Sequence, residues 1–214
     1  MTTNVQLVCF DLGRVLIHIC DDWMQACDLA GVRLPAPADP AVFDRVLEIG
    51  RQYEIGSIDT HQFDQQVAHV IGLTPRQVEA IGAAWLRGPY PRVERLIEQL
   101  ADHGIKTACL SNTNERHWQQ MTTPGNSNFL PLDRLTYRFA SHRIGRAKPD
   151  ADIYRHVEQA TDLVGEAILF FDDTLENVTA AHHRAWRARR IEPNGDPVAQ
   201  MIRHLAELDV IIDA

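Results

Sequence analysis

The chain has 214 residues, of which 45% are hydrophobic and 23% are charged, and its formal net charge is −8 at pH 7. This composition is ordinary for a globular protein made of one large domain, or of a core with a smaller insert. The acidic balance argues against nucleic acid or an anionic membrane as the main partner, although an anionic substrate can still bind where a site is locally cationic.

Signals for membrane insertion or export are not evident in the sequence. It has no run of about 20 apolar residues that would predict a membrane-spanning helix, and its N-terminus lacks a basic region followed by a long apolar stretch. The cysteines are Cys9, Cys20, Cys27 and Cys109, and no two of them form a CxxC pair, so neither a disulfide framework nor a zinc site is predicted. These features predict a protein of the reducing cytoplasm.

Three apolar runs each end at a polar residue. LVCF ends at Asp11, KTACL ends at Ser111, and AILFF ends at the pair Asp172 and Asp173. A short, continuous apolar run is typical of a strand buried on both faces of a parallel sheet. Because ligands of open α/β sheets bind at the carboxyl ends of the strands, we expect these side chains to meet at one edge of the sheet.

Helical patterns occupy the intervals between these strands. About four helices are predicted within residues 19–88, which we expect to form a small all-helical cap inserted after the first strand. Residues 1–18 and 89–214 are expected to form the core, with a further strand over 135–141 and an edge strand over 187–191. Alternating strands and helices predict a parallel sheet with right-handed crossovers, and therefore an α/β fold.

Four segments in chain order resemble the motifs of the haloacid dehalogenase-like hydrolase superfamily. FDLGRVL resembles the first motif, LSNT the second, the lysine of GRAKPDADIY the third, and FFDDTLENV the fourth. The resemblance runs from residue 6 to about residue 190. The DLG form of the first motif and the DDxxxN form of the fourth resemble a subgroup of small bacterial sugar-phosphate phosphatases, among them glucose-1-phosphate phosphatases.

The resemblance implies a Rossmann-like core, a helical cap over the active site, and Mg²⁺-dependent hydrolysis of a small phosphorylated metabolite such as a sugar phosphate. Asp11 would be the nucleophile that forms an aspartyl-phosphate. Ser111 would hold the phosphoryl group, and Lys148 would neutralise charge.

The resemblance also implies a ligand set and a substrate-binding set. The Mg²⁺ ligands would be Asp11, the backbone carbonyl of Gly13, Asp172 and Asp173, since Mg²⁺ binds oxygen ligands. The substrate contacts would come from the backbone N–H groups of Leu12 and Asn112, from His18 near the cap hinge, and from Tyr53 and Glu54 in the cap. Asn177 would brace the loop that follows the fourth strand.

Arg14 stands where the resembled subgroup usually has a small polar residue; it could face the substrate, but a surface position is expected. Two further positions depart from the pattern of the resembled superfamily. Most of its phosphatases carry a second aspartate, a general acid and base, where this chain has Gly13, and such help is worth roughly 10²–10⁴-fold in rate. Ala185 stands where a glycine commonly ends the helix after the fourth motif; if its backbone is left-handed, alanine costs roughly 1 kcal/mol there.

Two alternative functions stay open from the sequence. A chain with this fold and no general acid could bind a phosphorylated ligand without turning it over. A metal-free 2-haloacid dehalogenase would also use an aspartate nucleophile without the second acid, but it gives no reason for the pair Asp172 and Asp173.

Overall fold

The computed structural model describes residues 5–35 and 40–210. The strands are β1 (Leu7–Phe10), β2 (Ile17–Ile19), β3 (Leu86–Pro89), β4 (Lys106–Ser111), β5 (Tyr137–Ala140), β6 (Ile168–Asp172) and β7 (Arg187–Arg190). The α-helices are α1 (Trp23–Ala30), α2 (Pro40–Glu54), α3 (Thr60–Ile71), α4 (Pro75–Ala83), α5 (Val93–Asp102), α6 (Glu115–Thr122), α7 (Ser141–Ile144), α8 (Ala151–Thr161), α9 (Leu175–His183) and α10 (Pro197–Ala206).

Five of the strands form one parallel sheet in the order β5-β4-β1-β6-β7. The central strand β1 pairs with β4 on one side and with β6 on the other, so that Phe10 lies opposite both Cys109 and Phe171. The predicted α/β fold with a parallel sheet is therefore confirmed, and β7 is an edge strand as expected. The sequence LPAPADP, residues 34–40, predicts a proline-rich break between the first two cap helices, and its residues 36–39 lie outside the described residues.

The residues of β1 are buried on both faces of the sheet. Val8 and Phe10 belong to a hydrophobic cluster with α5 and α10, whereas Leu7 and Cys9 belong to a second cluster with α8 and Trp186. Successive side chains of a strand point to opposite faces, so a strand covered on both faces must be apolar at every position. This double cover fixes the position of Asp11, the residue that follows.

Helices α1 to α4 follow β2 in the chain and have their own apolar cluster, which includes Val46, Phe63 and Val78. Their ends follow the local signals: Asp22 caps α1 and left-handed Gly31 ends it. Asp59 caps the start of α3 and Thr74 caps the start of α4, each in a capping box, and Gly72 ends α3. None of the helices in the described ranges is long and apolar enough to cross a membrane.

A two-stranded antiparallel sheet of β2 and β3 was not predicted. Ile17 pairs with Pro89 and Ile19 with Leu86, and each strand is too short to produce a periodic signal. The small sheet lies at both ends of the predicted insert, 19–88, whose division from the core stays a prediction. Helix α7 was also missed, because a single helical turn following a strand has no distinct sequence pattern.

Ala185 has a left-handed backbone, with φ of 59°, in the turn between α9 and β7. Since its side chain is exposed and alanine costs about 1–2 kcal/mol in this conformation, we expect Ala185→Gly to stabilise the protein by about 0.5 kcal/mol after the entropy cost of glycine is subtracted. Urea unfolding measures the change. Ala160→Gly, at an exposed position in α8, should destabilise instead, and equal losses in both variants would contradict the strain at residue 185.

Candidate active site

Asp11 is the first residue beyond the central strand β1. Its backbone N–H donates to the carbonyl of Phe171 at 2.8 Å, which continues the strand pairing, and the carbonyl of Leu12 then accepts from Leu16 and Ile17 in a tight turn. The Asp11 side chain is left at the carboxyl edge of the sheet, where it is 8% exposed.

Lys148 lies between two carboxylates at this edge. Its Nζ is 2.8 Å from Asp11 Oδ1 and 2.6 Å from Asp172 Oδ2, and all three side chains are largely buried. Burial by itself lowers the pKa of Lys148, but the two carboxylates more than reverse this and raise the pKa above its usual value. The ammonium group is therefore charged at neutral pH.

The side chain of Asn112 fixes the backbone of Lys148. Its amide donates to the Lys148 carbonyl at 2.9 Å and accepts from the Lys148 N–H at 2.8 Å. The sequence analysis assigned only a backbone role to Asn112, since a contact between two loops distant in the chain has no local signal. Asn112 thus connects the second and third motifs.

Asp172 is fully buried and is saturated with donors. Besides Lys148, the N–H of Thr174 donates to it at 2.8 Å and the amide of Asn177 contacts both oxygens at 3.1 Å. Asn177 is itself held through its carbonyl by the hydroxyl of Tyr154 at 2.9 Å. These contacts hold the carboxylate of Asp172 in one orientation.

Asp173 completes a group of three carboxylates. Oxygen atoms of Asp11, Asp172 and Asp173 all lie within 4.8 Å of one another. Asp173 has fewer partners than Asp172: Thr174 Oγ1 donates to it at 3.3 Å, and the guanidinium of Arg14 is 3.9 Å away. Asp173 is therefore the carboxylate most available to a cation, and Arg14 is a neighbour of the site that the sequence analysis did not select.

The electrostatics of the group favour a cation. Burial raises the pKa of Asp11 to about 7, against the opposing effect of Lys148 and with a further rise from Asp172. Burial and the Asp172 carboxylate likewise raise the pKa of Asp173. Three oxygen donors with excess negative charge fit Mg²⁺, which prefers such ligands.

Gly13 adjoins the group, on the turn after Asp11. A Cβ built at this position would lie 3.3 Å from the Cδ1 of Ile19, so a side chain there would require Ile19 to shift. The packing of β2 is thus adapted to a glycine, and within the described residues no second carboxylate follows Asp11 in the turn.

Several hydrogen-bond donors at the strand ends have no strong protein partner. The hydroxyl of Ser111 makes only a long contact of 3.5 Å to the Asn112 carbonyl. In the described part of the chain, the N–H groups of Leu12 and Asn112 donate to no acceptor. These three donors are available to the oxygens of a phosphoryl group.

A cavity of about 430 Å³ opens next to these donors and extends beneath the cap. Leu12, Gly13, Ser111 and Asn112 form its floor. Tyr53 and Glu54 line it, whereas His18 does not: His18 is exposed and its ring lies on Tyr90, with 3.6 Å between centroids. The structure therefore brings together every predicted site residue except His18.

Hydrogen bonds between α2, α3 or α4 and the core hold the cap helices in place, and three of them lie near the cavity. The Arg116 guanidinium donates to Asp64 at 2.6 Å, the Arg116 N–H donates to the Tyr53 hydroxyl at 3.2 Å, and the Ser141 hydroxyl donates to the Glu54 carbonyl at 2.6 Å. Arg116 was not among the predicted site residues, although it lines the cavity and follows the second motif by only a few residues.

Glu54 is a half-buried residue on the cap side of the cavity. Burial raises its pKa above the usual value, against the lowering effects of Arg51 and Lys148. A carboxyl group with a raised folded-state pKa stabilises the protein when protonated, and that stability is lost as the pH rises through the folded-state pKa. We therefore expect Glu54→Gln to be more stable than the wild type at pH 8, by a margin that narrows toward pH 4.5.

Urea unfolding at several pH values measures this difference for Glu54→Gln. Glu79→Gln changes an exposed glutamate of α4 and serves as the control. An unchanged margin between pH 8 and pH 5 would contradict burial of a charged Glu54.

A model of the haloacid dehalogenase-like hydrolase family matches residues 5–183 of the chain. Among characterised relatives, the sesquiterpene phosphatase astK of Aspergillus oryzae is 27% identical over 187 residues, which cover 85% of this chain and 87% of the relative.

Solved structures share the fold. The HAD family enzyme bt-2542 of Bacteroides thetaiotaomicron superposes with a TM-score of 0.79 at 20% identity, over 92% of this chain and 98% of that one; it has also been solved in complex with magnesium and inorganic phosphate. The L-2-haloacid dehalogenase of Xanthobacter autotrophicus is more distant, with a TM-score of 0.58 at 20% identity, over 87% and 77% of the two chains.

Proposed function

The chain is a member of the haloacid dehalogenase-like hydrolase family, and on this premise we propose that it is a Mg²⁺-dependent phosphatase that hydrolyses a small phosphorylated metabolite through an aspartyl-phosphate. The observation that carries the proposal is the position of Asp11, which contacts buried Lys148 at 2.8 Å and belongs to a compact group of three carboxylates.

The proposed reaction has two steps at Asp11. A carboxylate oxygen of Asp11 attacks phosphorus, the bond from phosphorus to the ester oxygen breaks, and the departing alcohol takes a proton from water. A water molecule then attacks the same phosphorus, the bond to Asp11 breaks, and inorganic phosphate leaves as the water proton passes to solvent. Lys148, Ser111 and the N–H groups of Leu12 and Asn112 stabilise the charge on the phosphoryl oxygens in both steps.

The residues that would hold Mg²⁺ are Asp11, Asp173, the carbonyl of Gly13, and Asp172 directly or through water. A bound Mg²⁺ supplies positive charge that offsets the repulsion between the carboxylates and a phosphate dianion. Because donors already surround Asp172, we assign Asp172 mainly to positioning Lys148. We assign Asp173 to direct ligation of the metal.

The absence of an acidic side chain at Gly13 bears on the leaving group. Without a general acid, esters whose oxygen leaves readily are expected to react fastest. The anomeric oxygen of a sugar 1-phosphate is such a group, so the sugar phosphate suggested by the DLG motif stays one predicted substrate class.

Two relatives support the choice of reaction. The name of astK describes a phosphatase, and bt-2542 has been crystallised with magnesium and inorganic phosphate together. The similar fold of the haloacid dehalogenase leaves dehalogenation as the second candidate, but a metal-free reaction would not explain three carboxylates within 4.8 Å.

The test is the release of inorganic phosphate from p-nitrophenyl phosphate, sugar phosphates and alkyl phosphates, with Mg²⁺ or with EDTA. We expect release that requires Mg²⁺, and a labelled aspartyl-phosphate after acid quenching of a reaction with ³²P-labelled substrate. Release of halide from 2-chloropropionate in EDTA would favour the dehalogenase. Binding of phosphate esters without any turnover would overturn the proposal in favour of a binding module.

A further inference from the structure

We propose that the cavity beneath the cap holds an apolar tail of the substrate, so that the preferred substrates are phosphate monoesters of apolar alcohols. This inference rests on the proposed phosphatase function and specifies its substrate class. It replaces a sugar, which carries hydroxyl groups around its ring, with a molecule that has a charged head and an apolar body.

The large side chains around the cavity are mostly apolar. They come from the turn after β1, from β2 and β3, from the cap helices and from α6, and they include Leu12, Ile19, Trp23, Phe63, Leu86 and Met121. A surface of this kind gains free energy by excluding water from an apolar ligand. Away from Glu54 and the donors at the strand ends, it offers few partners to buried hydroxyl groups.

Three of the polar side chains that line the cavity, His117, Arg116 and Tyr53, already have protein partners. His117 contacts the carbonyl of Gly82 through Nε2 at 3.1 Å and the Asn114 amide through Nδ1 at 3.1 Å. Arg116 pairs with Asp64, and the hydroxyl of Tyr53 contacts Thr60 at 2.7 Å. A sugar placed here would have to break these contacts or leave its hydroxyls unpaired, whereas an apolar tail would do neither.

The cavity is continuous with the phosphoryl site. Leu12, Gly13, Ser111 and Asn112 border the cavity and adjoin Asp11 in sequence or supply the free donors described above. A ligand whose phosphate is held by these donors therefore has its ester carbon directed beneath the cap. At about 30 Å³ for the volume of a water molecule, 430 Å³ has room for roughly a dozen non-hydrogen atoms.

Gly50 gives independent support from the interior of α2. Glycine in a helix interior costs roughly 0.5–1 kcal/mol relative to alanine, yet a Cβ at Gly50 would meet no atom within 4 Å. The residue lines the cavity, and its backbone is not left-handed. Neither backbone strain nor crowding by the protein thus requires a glycine, and its effect is to keep the cavity open.

Leu47 lies one turn earlier on α2, also at the cavity, and it is 59% exposed. An apolar tail would cover it. Leu29 of α1 is exposed to a similar extent, 54%, but it does not line the cavity. The two leucines form a matched pair, because both lie on cap helices and neither is needed for the core.

The experiment compares kcat/KM for a series of linear alkyl phosphates, from ethyl to dodecyl and below their micelle concentrations, with that for glucose 6-phosphate. All of these esters release a primary alcohol, so the comparison does not depend on how readily the ester oxygen leaves. We expect kcat/KM to rise about fourfold for each added methylene, to level off when the cavity is full, and to exceed the value for the sugar phosphate. A flat series, or a preference for the sugar, overturns this inference while hydrolysis itself upholds the phosphatase. No hydrolysis of any ester overturns the phosphatase proposal.

Three variants test whether the apolar tail of the substrate binds in this cavity. Gly50→Leu should fold at least as stably as the wild type, since leucine favours a helix and the space is open, but it should lower kcat/KM for decyl phosphate at least tenfold and leave ethyl phosphate unchanged. Leu47→Gln should lower the decyl value about tenfold, and Leu29→Gln should not. Equal effects of Gly50→Leu on both esters, or equal effects of the two leucine variants, would place the tail elsewhere.

Discussion

Asp11→Asn is expected to lower phosphate release by at least about 10⁴-fold, the order of loss seen when a nucleophile is removed from a hydrolase. The amide cannot form the acyl-phosphate bond, so the labelled aspartyl-phosphate should disappear as well. Steady-state release and acid quenching with ³²P-labelled substrate measure both effects in the same preparation.

The same substitution is expected to leave the protein as stable as the wild type, or more stable. The carboxylate of Asp11 is buried beside that of Asp172, and its pKa is raised to about 7, so the ionised group lowers stability at and above neutral pH, as the sign of the shift requires. An amide of the same shape removes this cost and can still accept a hydrogen bond from Lys148.

Asp64→Asn is the matched control for Asp11→Asn. Asp64 is also 8% exposed, and its carboxylate pairs with Arg116 across the interface between the cap and the core. Its substitution should reduce stability while hydrolysis continues. If Asp11→Asn retained more than about one hundredth of the wild-type rate while Asp64→Asn lost it, Asp11 would not be the nucleophile.

The carboxylates of the site were predictable because each depends on a local pattern. An apolar run that stops at a charged residue predicts both a buried strand and its carboxyl end, and parallel strands bring such ends together. For this reason Asp11, Ser111 and Asp172 were selected from the sequence and lie at one edge of the sheet. At Ala185 the family resemblance left two turn shapes open, and the structure has the left-handed one.

Contacts between segments distant in the chain were not predictable. Asn112 holds the Lys148 loop, and Arg116 joins the core to Asp64 in the cap, but neither pair produces a periodic or spaced signal. For His18, nearness in the sequence was misleading. It is close to the cap hinge in sequence, yet it packs on Tyr90 outside the cavity. Successive side chains of the three-residue strand β2 point to opposite faces, so a residue next to one that faces the cavity faces away from it.

The proposed substrate class could not be predicted from the sequence either, because it depends on how distant segments pack around the cavity. Gly50 is an unremarked helix residue in the sequence, and only the packing of α2 against the cavity makes its lack of a side chain significant. The first motif suggested a sugar phosphate by resemblance, whereas the lining suggests an apolar alcohol. A specificity that arises from the shape of an inserted cap is not encoded in the motifs that carry the chemistry.

Lys148→Met is expected to have the largest effect on stability. Lys148 contacts Asp11 and Asp172 within 2.8 Å, and its side chain is 1% exposed. Methionine has a similar length but no charge, so it would leave buried carboxylates without their cation. Removing one member of a buried pair costs about 3–5 kcal/mol, and we expect a loss of that size in the free energy of unfolding in EDTA.

Mg²⁺ should restore part of this stability. An ion that binds only the folded protein stabilises it by about 2.7 kcal/mol at one hundred times its dissociation constant, and the variant has more uncompensated negative charge for it to bind. The midpoint of urea unfolding should therefore rise more on addition of Mg²⁺ in Lys148→Met than in the wild type. The rate of phosphate release should nevertheless stay lower by about 10³-fold, because a positive charge fixed by the protein is lost from the transition state.

Lys106 is the one other lysine in the chain, and it is exposed at the start of β4. Lys106→Met should change neither the unfolding midpoint in EDTA nor its response to Mg²⁺, which separates the loss of a buried charge from the loss of any lysine. If Lys148→Met unfolded like the wild type in EDTA and gained no more from Mg²⁺, the three carboxylates would not depend on Lys148 for compensation. Neither Lys148 nor the cation would then be needed to keep the carboxylates folded together, and Lys148 would serve the phosphoryl group alone.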